Sequence, residues 1–443
     1  MVSGGLALLF LLVAVILIIV FTAKFKLNAF IVLVSVAFLY GLAIGLPLKE
    51  IVSKIRTGFG GTLGYIGIVI IAGTIIGIIL EKTGAALSMT RAILRIVGKD
   101  RAPLAMSIAG YVVSIPVFCD SGYVILTPLN KALSEETGKS MAVMAVALST
   151  GLYATHTLVP PTPGPIAAAG TLGADLGAVI GLGLIVSVPA MIAGYLWAIK
   201  FAKRYEIKAE LEETYDELIK KYGDLPGAFH SFMPLLLPII LILLKSIASY
   251  PTKPFGKGGF ADFIIFIGDP VTALMIGVFF ALTLVKRDKL GEAVHSWMGE
   301  GVRNAALILA ITGAGGAFGS ILKASPMAGF INNTLSGLKL GIFLPFLISA
   351  ALKTAQGSST VAIITTASIM TPLLGPLGLS PALTVLAIGA GSMVVSHAND
   401  SYFWVVSQFS NMEVATSYKA YTTATFLEGM VAFAGVAILT IFI

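Results

Sequence analysis

Long stretches of almost uninterrupted apolar residues alternate with short polar segments along the whole chain. A helix that crosses a hydrocarbon core needs about 20 apolar residues. The pattern predicts ten such helices, near residues 5–23, 28–46, 62–80, 139–168, 174–199, 231–250, 263–285, 303–322, 380–408 and 416–443. No positive charge precedes the first one and no small-residue cleavage site follows it, so we expect a mature helix rather than a signal peptide.

Two apolar stretches, residues 101–134 and 339–375, do not have the length of a single span. As single helices they would measure about 50 Å, against a hydrocarbon core of about 30 Å, yet each is too short for two full spans and a turn. A polar break lies near the middle of each, at Asp120-Ser121-Gly122 and at Gln356-Gly357-Ser358-Ser359. We therefore expect two re-entrant hairpins with these residues at their tips. The alternative is one kinked span per stretch, which gives six crossings in each half.

The two halves of the chain repeat the same order of features at an offset of about 240 residues. Matched features are Gly58-Phe59-Gly60 with Gly299-Glu300-Gly301, Gly73 with Gly313, and His156 with His397. Each half holds five predicted spans. Because five is odd, the second half begins on the opposite side of the membrane from the first, so we expect inverted-topology repeats. The predicted repeats cover 1–200 and 230–443, and a cytoplasmic linker at 201–229 joins them.

Composition and charge agree with this class of protein. Hydrophobic residues make up 57% of the chain and charged residues only 12%, which is typical of a polytopic helical membrane protein. With the N-terminus outside, 20 of the 29 Lys and Arg fall in cytoplasmic segments and seven fall outside. The positive-inside rule therefore predicts that both termini face outward. The basic residues form no stripe, so we expect no nucleic-acid partner.

Four polar clusters interrupt the apolar pattern, two in each half. Breaks at membrane depth persist only where the freed backbone groups are buried in protein or line a watery cavity. The clusters are Cys119-Asp120-Ser121-Gly122, Thr155-His156 followed by Pro160-Pro161-Thr162-Pro163-Gly164-Pro165, Gln356-Gly357-Ser358-Ser359-Thr360, and Ser396-His397-Ala398-Asn399-Asp400-Ser401. Paired breaks in duplicated halves point to a transporter's substrate site. The proline run has an alternative interpretation as an ordinary outer loop.

New helices that begin at these breaks would direct free N–H groups and positive dipole ends to one place, which favours an anion. Lys353, one turn before the second tip, either snorkels to the interface or supplies a cation for a substrate carboxylate, Asp120 or Asp400. The residues expected to bind substrate are Ser121, Gly122, Thr162, Gly164, Lys353, Gln356, Ser358, Ser359, Thr360, Ser396, Asn399 and Ser401. Some of these hydroxyl groups are expected to join helices instead.

Four titratable residues at depth are candidates for proton coupling. An ionised carboxylate such as Asp120 or Asp400 costs roughly 2.5–3.5 kcal/mol at the bilayer centre, so it usually has a function there. A plain N-cap is the alternative for both. His156 and His397 lie at equivalent positions and either carry protons or are hydrogen-bonded core residues. The histidines and the single cysteine lack the spacing of metal ligands, so we expect neither a metal nor a cofactor.

The four clusters and their flanking residues resemble the signature stretches of gluconate permease (GntP-type) transporters. The stretches are Ile115 to Gly122, His156 to Pro165, Thr354 to Ala362, and Ser396 to Trp404. The resemblance covers essentially the whole chain and implies proton-coupled uptake of a sugar acid or a small hydroxy or amino acid across a bacterial inner membrane. It also implies the ion-transporter superfamily architecture, usually dimeric, with a scaffold and a mobile hairpin-bearing domain. The family has members for gluconate, idonate, fructuronate, glycerate and D-serine, and no residue chooses among them.

The sequence thus predicts an all-α polytopic membrane protein that works as a secondary active transporter. The expected substrate is a small hydroxylated monocarboxylate such as gluconate, imported by proton symport with elevator-like alternating access. Sodium coupling and a D-serine or glycerate substrate are the alternatives within carriers. Two other classes are a channel, which would need a continuous polar pathway, and an intramembrane enzyme, which would use the same carboxylates and histidines as acid–base catalysts. The sequence has no phosphate-binding lysine motif of the kind that drives a primary pump.

Overall fold

The computed structural model describes residues 1–210, 224–249, 254–256, 258–326, 330 and 341–442. These residues form helices joined by short loops, and no strand occurs among them. In chain order the helices are α1 (Gly4–Ile19), α2 (Ala29–Ala43), α3 (Leu48–Lys82), α4 (Ala85–Val97), α5 (Ala102–Val113), α6 (Cys119–Thr137), α7 (Met141–Leu158), α8 (Pro163–Leu172), α9 (Leu176–Lys200), α10 (Ala228–Ala248), α11 (Gly259–Ile267), α12 (Pro270–Leu282), α13 (Met298–Lys323), α14 (Phe343–Gln356), α15 (Ser359–Met370), α16 (Pro381–Met393), α17 (Ser401–Phe409) and α18 (Thr423–Leu439). Of the predicted linker run at 210–217, all but Glu210 lies outside the described residues.

Within the described ranges, seven helices are long and apolar enough to cross a membrane, and eight if α11 and α12 count as one bent span. That pair bends by 63°. Asp269 caps α12 by accepting a hydrogen bond from the Val271 N–H (3.1 Å), with Pro270 in the first turn. The helices α2 and α16 are apolar but have only 15 and 13 residues. The protein is therefore a multi-pass membrane protein, and the total of ten spans stays a prediction.

Two helices extend well beyond the spans predicted for them. The helix α3 has 35 residues, where the predicted span covers 62–80. The stretch Arg287–Lys323 is helical over 37 residues, where the predicted span covers 303–322. Hydropathy marks where a helix enters water and not where it ends. Charged residues such as Glu50 and Lys54, an ion pair one turn apart at 3.6 Å, continue a helix readily.

The helices α3 and α13 pack against each other in opposite directions. Gly58 of α3 faces Gly316 of α13, and sixteen positions later the Thr74 hydroxyl donates to the Gly301 carbonyl at 3.0 Å. Residue numbers therefore increase along α3 in the direction in which they decrease along α13, so the two helices are antiparallel. The two helices correspond to each other at the internal offset of about 240 residues, and the predicted inverted repeat would place corresponding helices in opposite directions. The inverted repeat itself stays a prediction.

Each predicted hairpin contains two helices with a short break between them. The break between α5 and α6 is at Ser114–Phe118, and the break between α14 and α15 is at Gly357-Ser358. The first tip was predicted at Asp120-Ser121-Gly122, and this position is wrong: these residues lie in the first turn of α6. The turn forms earlier, around Pro116, where the Ser114 hydroxyl donates to the Val117 carbonyl at 3.1 Å. Polar residues in a first helical turn suit the free N–H groups there.

The proline run breaks a buried helix and is not an outer loop. The helix α7 ends at Leu158, α8 begins at Pro163, and the residues between them are buried. The two helices together form a stretch of 32 residues, from Met141 to Leu172, that is wholly buried over its most apolar part. The equivalent break in the second half lies between α16 and α17, at residues 394–400. Both predicted breaks therefore occur. The first broken helix was predicted to end at residue 168, but α8 continues to Leu172, four residues further.

The close approach of α3 and α13 generates the first prediction. A Cβ atom at Gly316 would lie 2.1 Å from the Thr62 hydroxyl oxygen and 2.6 Å from the Gly58 carbonyl oxygen, whereas one at Gly60 meets nothing within 4 Å. Overpacking of this kind costs about 1–3 kcal/mol. We expect Gly316→Val to lower the thermal stability of the detergent-solubilised protein, measured by size-exclusion chromatography after heating. Gly60→Val is the matched control, and equal stability of the two variants would contradict the packing described.

Candidate functional site

A cavity of about 360 Å³ lies where both predicted hairpins and both broken helices meet α13. The residues that line it come from five helices and the turns before them. They are Phe118, Cys119, Asp120, Ser121, His156, Asn304, Leu307, Ile308, Ser358, Ser359, Thr360, Asp400, Ser401 and Tyr402. Eight of the predicted site residues are among them: Asp120, Ser121, His156, Ser358, Ser359, Thr360, Asp400 and Ser401. The structure thus brings residues from both halves of the chain into one site.

Three helices begin at the wall of this cavity. The Ser358 hydroxyl caps α15 by accepting from the Val361 N–H (3.3 Å), and the Asp400 carboxylate caps α17 by accepting from the Tyr402 N–H (3.1 Å). The helix α6 begins at Cys119 without a side-chain cap. Positive helix ends that converge in this way favour a negative charge. The fourth predicted helix start does not take part, because Gly164 packs against Ile363 of α15.

Lys353 and Asp400 form a buried ion pair just behind the cavity wall. The Lys353 side chain is 0% exposed, and its Nζ donates to Asp400 Oδ2 at 2.5 Å and to the Gly357 carbonyl oxygen. Asp400 Oδ2 also accepts from the Ser396 hydroxyl at 2.6 Å. Lys353 therefore balances Asp400 and does not snorkel to the interface. Asp400 is thus an N-cap, which is one of the two roles considered for it, and also the partner of Lys353, while its role in proton coupling stays a prediction.

Asp120 differs from Asp400 in having no cation beside it. Its carboxylate accepts hydrogen bonds from the Ser401 hydroxyl (3.0 Å) and the Cys119 thiol (3.4 Å). No Lys, Arg or His of the described ranges lies within ion-pair distance of it. It also makes no capping hydrogen bond, so the plain-cap alternative is wrong for this residue. Asp120 is thus the uncompensated carboxylate of the cavity.

The two histidines, which were predicted as an equivalent pair, have different environments. His156 is 6% exposed, lines the cavity, stacks on Tyr153 with ring centroids 6.5 Å apart, and its Nδ1 has no hydrogen-bond partner in the described part of the chain. His397 lies outside the cavity, and its Nε2 is 2.8 Å from the Thr354 carbonyl oxygen. His156 therefore faces the site, whereas His397 joins the second break to the second hairpin.

The remaining predicted residues support the wall and do not line it. Asn399 donates to the Thr354 and Ala355 carbonyls at 2.8 and 3.1 Å, and the Thr162 hydroxyl donates to the Val159 carbonyl at 2.7 Å. Those that the structure places outside the cavity are Gly122, Thr162, Gly164, Lys353, Gln356, Ser396, His397 and Asn399. Lys353, His397 and Asn399 satisfy backbone groups at the second hairpin. Gly122 and Gly164 pack closely against neighbouring helices, as small residues do between membrane helices.

Sequence reasoning missed six lining residues. One of them, Asn304, directly follows Arg303 at the polar edge of the apolar stretch of α13, so its position along the chain carried no signal for a site. Tyr402 follows a predicted cluster directly, and its hydroxyl donates to the Ser149 carbonyl at 3.0 Å. Tyr402 also packs against Tyr153, with ring centroids 5.5 Å apart. Phe118, Cys119, Leu307 and Ile308 complete the missed set, and no local signal separates the last two from the other apolar residues of α13.

Comparison with known proteins extends these findings over the whole chain. The model of the GntP family permease matches residues 6–442. The gluconate permease of Pseudomonas aeruginosa is 36% identical over 418 residues, which are 93% of this chain and 92% of that protein. The D-serine transporter DsdX of Escherichia coli (strain K12) is 35% identical over 446 aligned positions, 98% of each chain.

One further relative and one solved structure are similar to this chain. The Gnt-II system L-idonate transporter of Escherichia coli (strain K12) is 32% identical over 416 residues, 93% of this chain and 94% of that one. The YdaH transporter of Alcanivorax borkumensis, whose crystal structure shows an unusual topology, has a similar fold with a TM-score of 0.64. Its sequence is 16% identical, and the match covers 89% of this chain and 88% of that one.

A family match along nearly all of the chain coincides with helix breaks, hairpins and a shared polar cavity at the predicted clusters. Relatives more than 30% identical over nine-tenths of the chain are permeases and transporters. The chain belongs to the GntP permease family, whose members are transporters.

Proposed function

We propose that this protein is a secondary active transporter that imports a small hydroxylated monocarboxylate by proton symport across a bacterial inner membrane. Gluconate or a related sugar acid is the first candidate substrate. The observation that carries the proposal is the cavity where three helix N-termini meet beside Asp120 and the hydroxyls of Ser121, Ser358 and Ser401. Relatives named for gluconate, L-idonate and D-serine share a carboxylate among their substrates, which agrees with such a site.

The substrate carboxylate and Asp120 would occupy one small cavity, and this is the basis for proton coupling. Two negative charges about 6 Å apart repel by about 3 kcal/mol at an effective dielectric constant of about 20. A favourable helix end attracts an anion by up to ~2 kcal/mol. The repulsion between the two carboxylates therefore offsets much of the attraction from the helix ends. Protonation of Asp120 removes this repulsion, so substrate and proton bind together.

Asp120 is a better coupling group than Asp400 because Asp400 already has a buried counter-ion in Lys353. His156 lines the same cavity and has an unpartnered ring nitrogen, so it is the proposed relay for the proton. His397 and Asp400 then position the second break. This assignment narrows the four predicted coupling residues to Asp120 and His156.

For alternating access, we propose that the hairpin-bearing helices move relative to α13. Asn304, Leu307 and Ile308 of α13 form one side of the cavity, and the hairpins and broken helices form the other. Antiparallel packing of α3 against α13 supports a scaffold built from inverted repeats, 1–200 and 230–443. Movement of the hairpin-bearing part against that scaffold, in a homodimer, would carry the site across the membrane.

An amino acid such as D-serine is a second candidate substrate, and one observation favours it. The unpaired carboxylate of Asp120 can accept an ammonium group as well as a proton. The D-serine transporter is among the similar proteins. The two candidates differ in what Asp120 binds, so variants of this residue distinguish them.

Purified protein in liposomes tests the substrate class directly. We expect gluconate uptake driven by an imposed proton gradient, with no uptake driven by a sodium gradient alone. The neutral alcohol gluconitol should compete poorly because it lacks the carboxylate that the helix ends attract. Gluconitol competition equal to that of gluconate would contradict an anion site, uptake driven only by sodium would contradict proton symport, and uptake of D-serine but not gluconate would favour the second candidate.

Asp120→Asn tests the coupling group. The amide keeps an oxygen that accepts from the Ser401 hydroxyl but has no titrating proton. We expect accumulation of gluconate against a gradient to be lost, while exchange of labelled for unlabelled gluconate continues. Asp175→Asn is the control, since Asp175 caps α9 away from the cavity by accepting from the Ala178 N–H (2.7 Å). Loss of D-serine exchange as well as accumulation would indicate that Asp120 binds an ammonium group.

The Lys353–Asp400 pair generates a stability prediction. Removing one member of a buried ion pair leaves an uncompensated charge and costs about 3–5 kcal/mol. We therefore expect Lys353→Met to lower thermal stability strongly, and Lys353→Met/Asp400→Asn to recover part of the loss because asparagine is neutral and still caps α17.

The exposed pair Lys99–Glu136, with an N–O distance of 2.6 Å and side chains 50% and 43% exposed, is the control for this measurement. Exposed pairs contribute about 0–1 kcal/mol, so Lys99→Met should change thermal stability little. A double variant Lys353→Met/Asp400→Asn less stable than Lys353→Met would contradict the charge-pair explanation.

A further inference from the structure

A second polar cavity, of about 270 Å³, lies beside the crossing of α3 and α13. Residues of α3, α8 and α13 line it, together with Thr371 at the end of α15. They are Thr57, Gly58, Gly61, Thr62, Gly170, Thr171, Gly316, Gly319, Ser320, Lys323 and Thr371. Liquid water takes about 30 Å³ per molecule, so the cavity has room for on the order of nine waters. This space is large enough for a small organic anion.

The chemistry of the second cavity suits a hydroxylated anion. Five hydroxyl side chains line it, and the Thr171 oxygen is buried without a hydrogen-bond partner among the described residues. Lys323 is its single charged lining residue, and no acid of the described ranges pairs with it. Hydroxyls that can both donate and accept, together with one cation, match a carboxylate that bears hydroxyl groups.

The two cavities lie at different places along the same contact between α13 and α15. The first is lined by Ile308 and Thr360, and the second by Gly319 and Thr371. Each pair is eleven residues from its counterpart, which is about 17 Å of helix. Between them Gly315 faces Ser368 of α15 so closely that a Cβ atom would lie 2.6 Å from the serine oxygen. Close packing at Gly315 thus separates the second cavity from the proposed substrate site in this conformation.

The equivalent place in the other half of the chain is closed. At the internal offset of about 241 residues, Lys323 corresponds to Lys82, and Gly319 to Ile78. Lys82 is paired with Glu300 at 3.2 Å, and Ile78 packs in an apolar cluster with Trp297. The crossing of two equivalent helices therefore does not by itself create a polar cavity. At one end of the α3–α13 contact this chain has an open cavity lined by hydroxyl groups and a lysine. At the other end the equivalent place is filled by apolar side chains and an ion pair.

We propose that the second cavity is one end of the transport pathway, where Lys323 attracts the substrate carboxylate and the surrounding hydroxyls bind it before it enters, or after it leaves, the first cavity. This inference rests on the proposed transport of a hydroxylated anion. The positive-inside rule assigns this end to the outer face.

Blocking the second cavity tests its place in the pathway. Neither Gly60 nor Gly61 has any atom within 4 Å of a Cβ position, but only Gly61 lines the cavity. We expect Gly61→Phe to lose most of the uptake rate, and Gly60→Phe to keep it. Both variants should still bind gluconate in detergent, because the first cavity is untouched. Equal uptake by the two variants would overturn the proposal, and so would loss of binding in Gly61→Phe.

Removing the cation tests the attraction of the carboxylate. An exposed charge contributes about 0.2–1 kcal/mol and is screened by salt. We expect Lys323→Gln to raise the half-saturating gluconate concentration about two- to fivefold for transport from one face in sided vesicles, with a smaller effect at high salt and none from the other face. Lys49→Gln, which changes an exposed lysine near the same end of α3, should have no effect.

The outcomes separate this inference from the proposed function. Identical kinetics of Lys323→Gln and Lys49→Gln would overturn the role of Lys323. An equal effect of Lys323→Gln from both faces would overturn the placement at one end of the pathway. Failure of the wild-type protein to transport any hydroxy acid would overturn the proposed function, and the inference with it.

Discussion

Backbone groups freed by the helix breaks must find partners inside the protein, because lipid offers none. In the second half of the chain the Lys353–Asp400 pair meets part of this requirement at both breaks. The Lys353 ammonium group binds the Gly357 carbonyl oxygen at the tip of one break, and Asp400 caps the helix that follows the other break. His397 and Asn399 bind the free carbonyl groups at the end of α14. These contacts fix the second hairpin and the second broken helix to each other, and the cavity wall depends on them.

The first half meets the same requirement in another way. It has no counterpart of the Lys353–Asp400 pair, and its carboxylate, Asp120, reaches across to the Ser401 hydroxyl of the second half. The buried Nδ1 of His156 has no hydrogen-bond partner among the described residues. The repeated sequence pattern thus leads to unequal chemistry, since one half provides a buried ion pair and the other provides a carboxylate and an imidazole. Under the proposed proton symport, these two groups of the first half would carry the proton.

Close helix packing holds the two halves together. At Gly58 and Gly316 the helices α3 and α13 approach until no side chain fits between them, an approach that small residues permit between membrane helices. Buried tyrosines perform the equivalent role near the cavity, where the Tyr153 hydroxyl meets the Ser359 hydroxyl at 2.7 Å and the Tyr402 hydroxyl donates to the Ser149 carbonyl at 3.0 Å. Large aromatic side chains with satisfied hydroxyls fill space without leaving polar groups unpaired.

The sequence by itself determined the helical membrane class, the four polar breaks, the family and eight of the fourteen lining residues, since apolar run length, proline and polar clusters act locally. It placed the first hairpin tip a few residues late, because Asp120, Ser121 and Gly122 suit a first helical turn as well as a tip. Only the tertiary structure decided that Lys353 neutralises Asp400, that Asp120 stays unpaired and that Asn304 joins the site. Those outcomes depend on contacts between residues far apart in the chain, such as Asp120 and Ser401, 281 positions apart. Spacing along the chain carries no information about which of several buried charges will meet, so three-dimensional packing makes that choice.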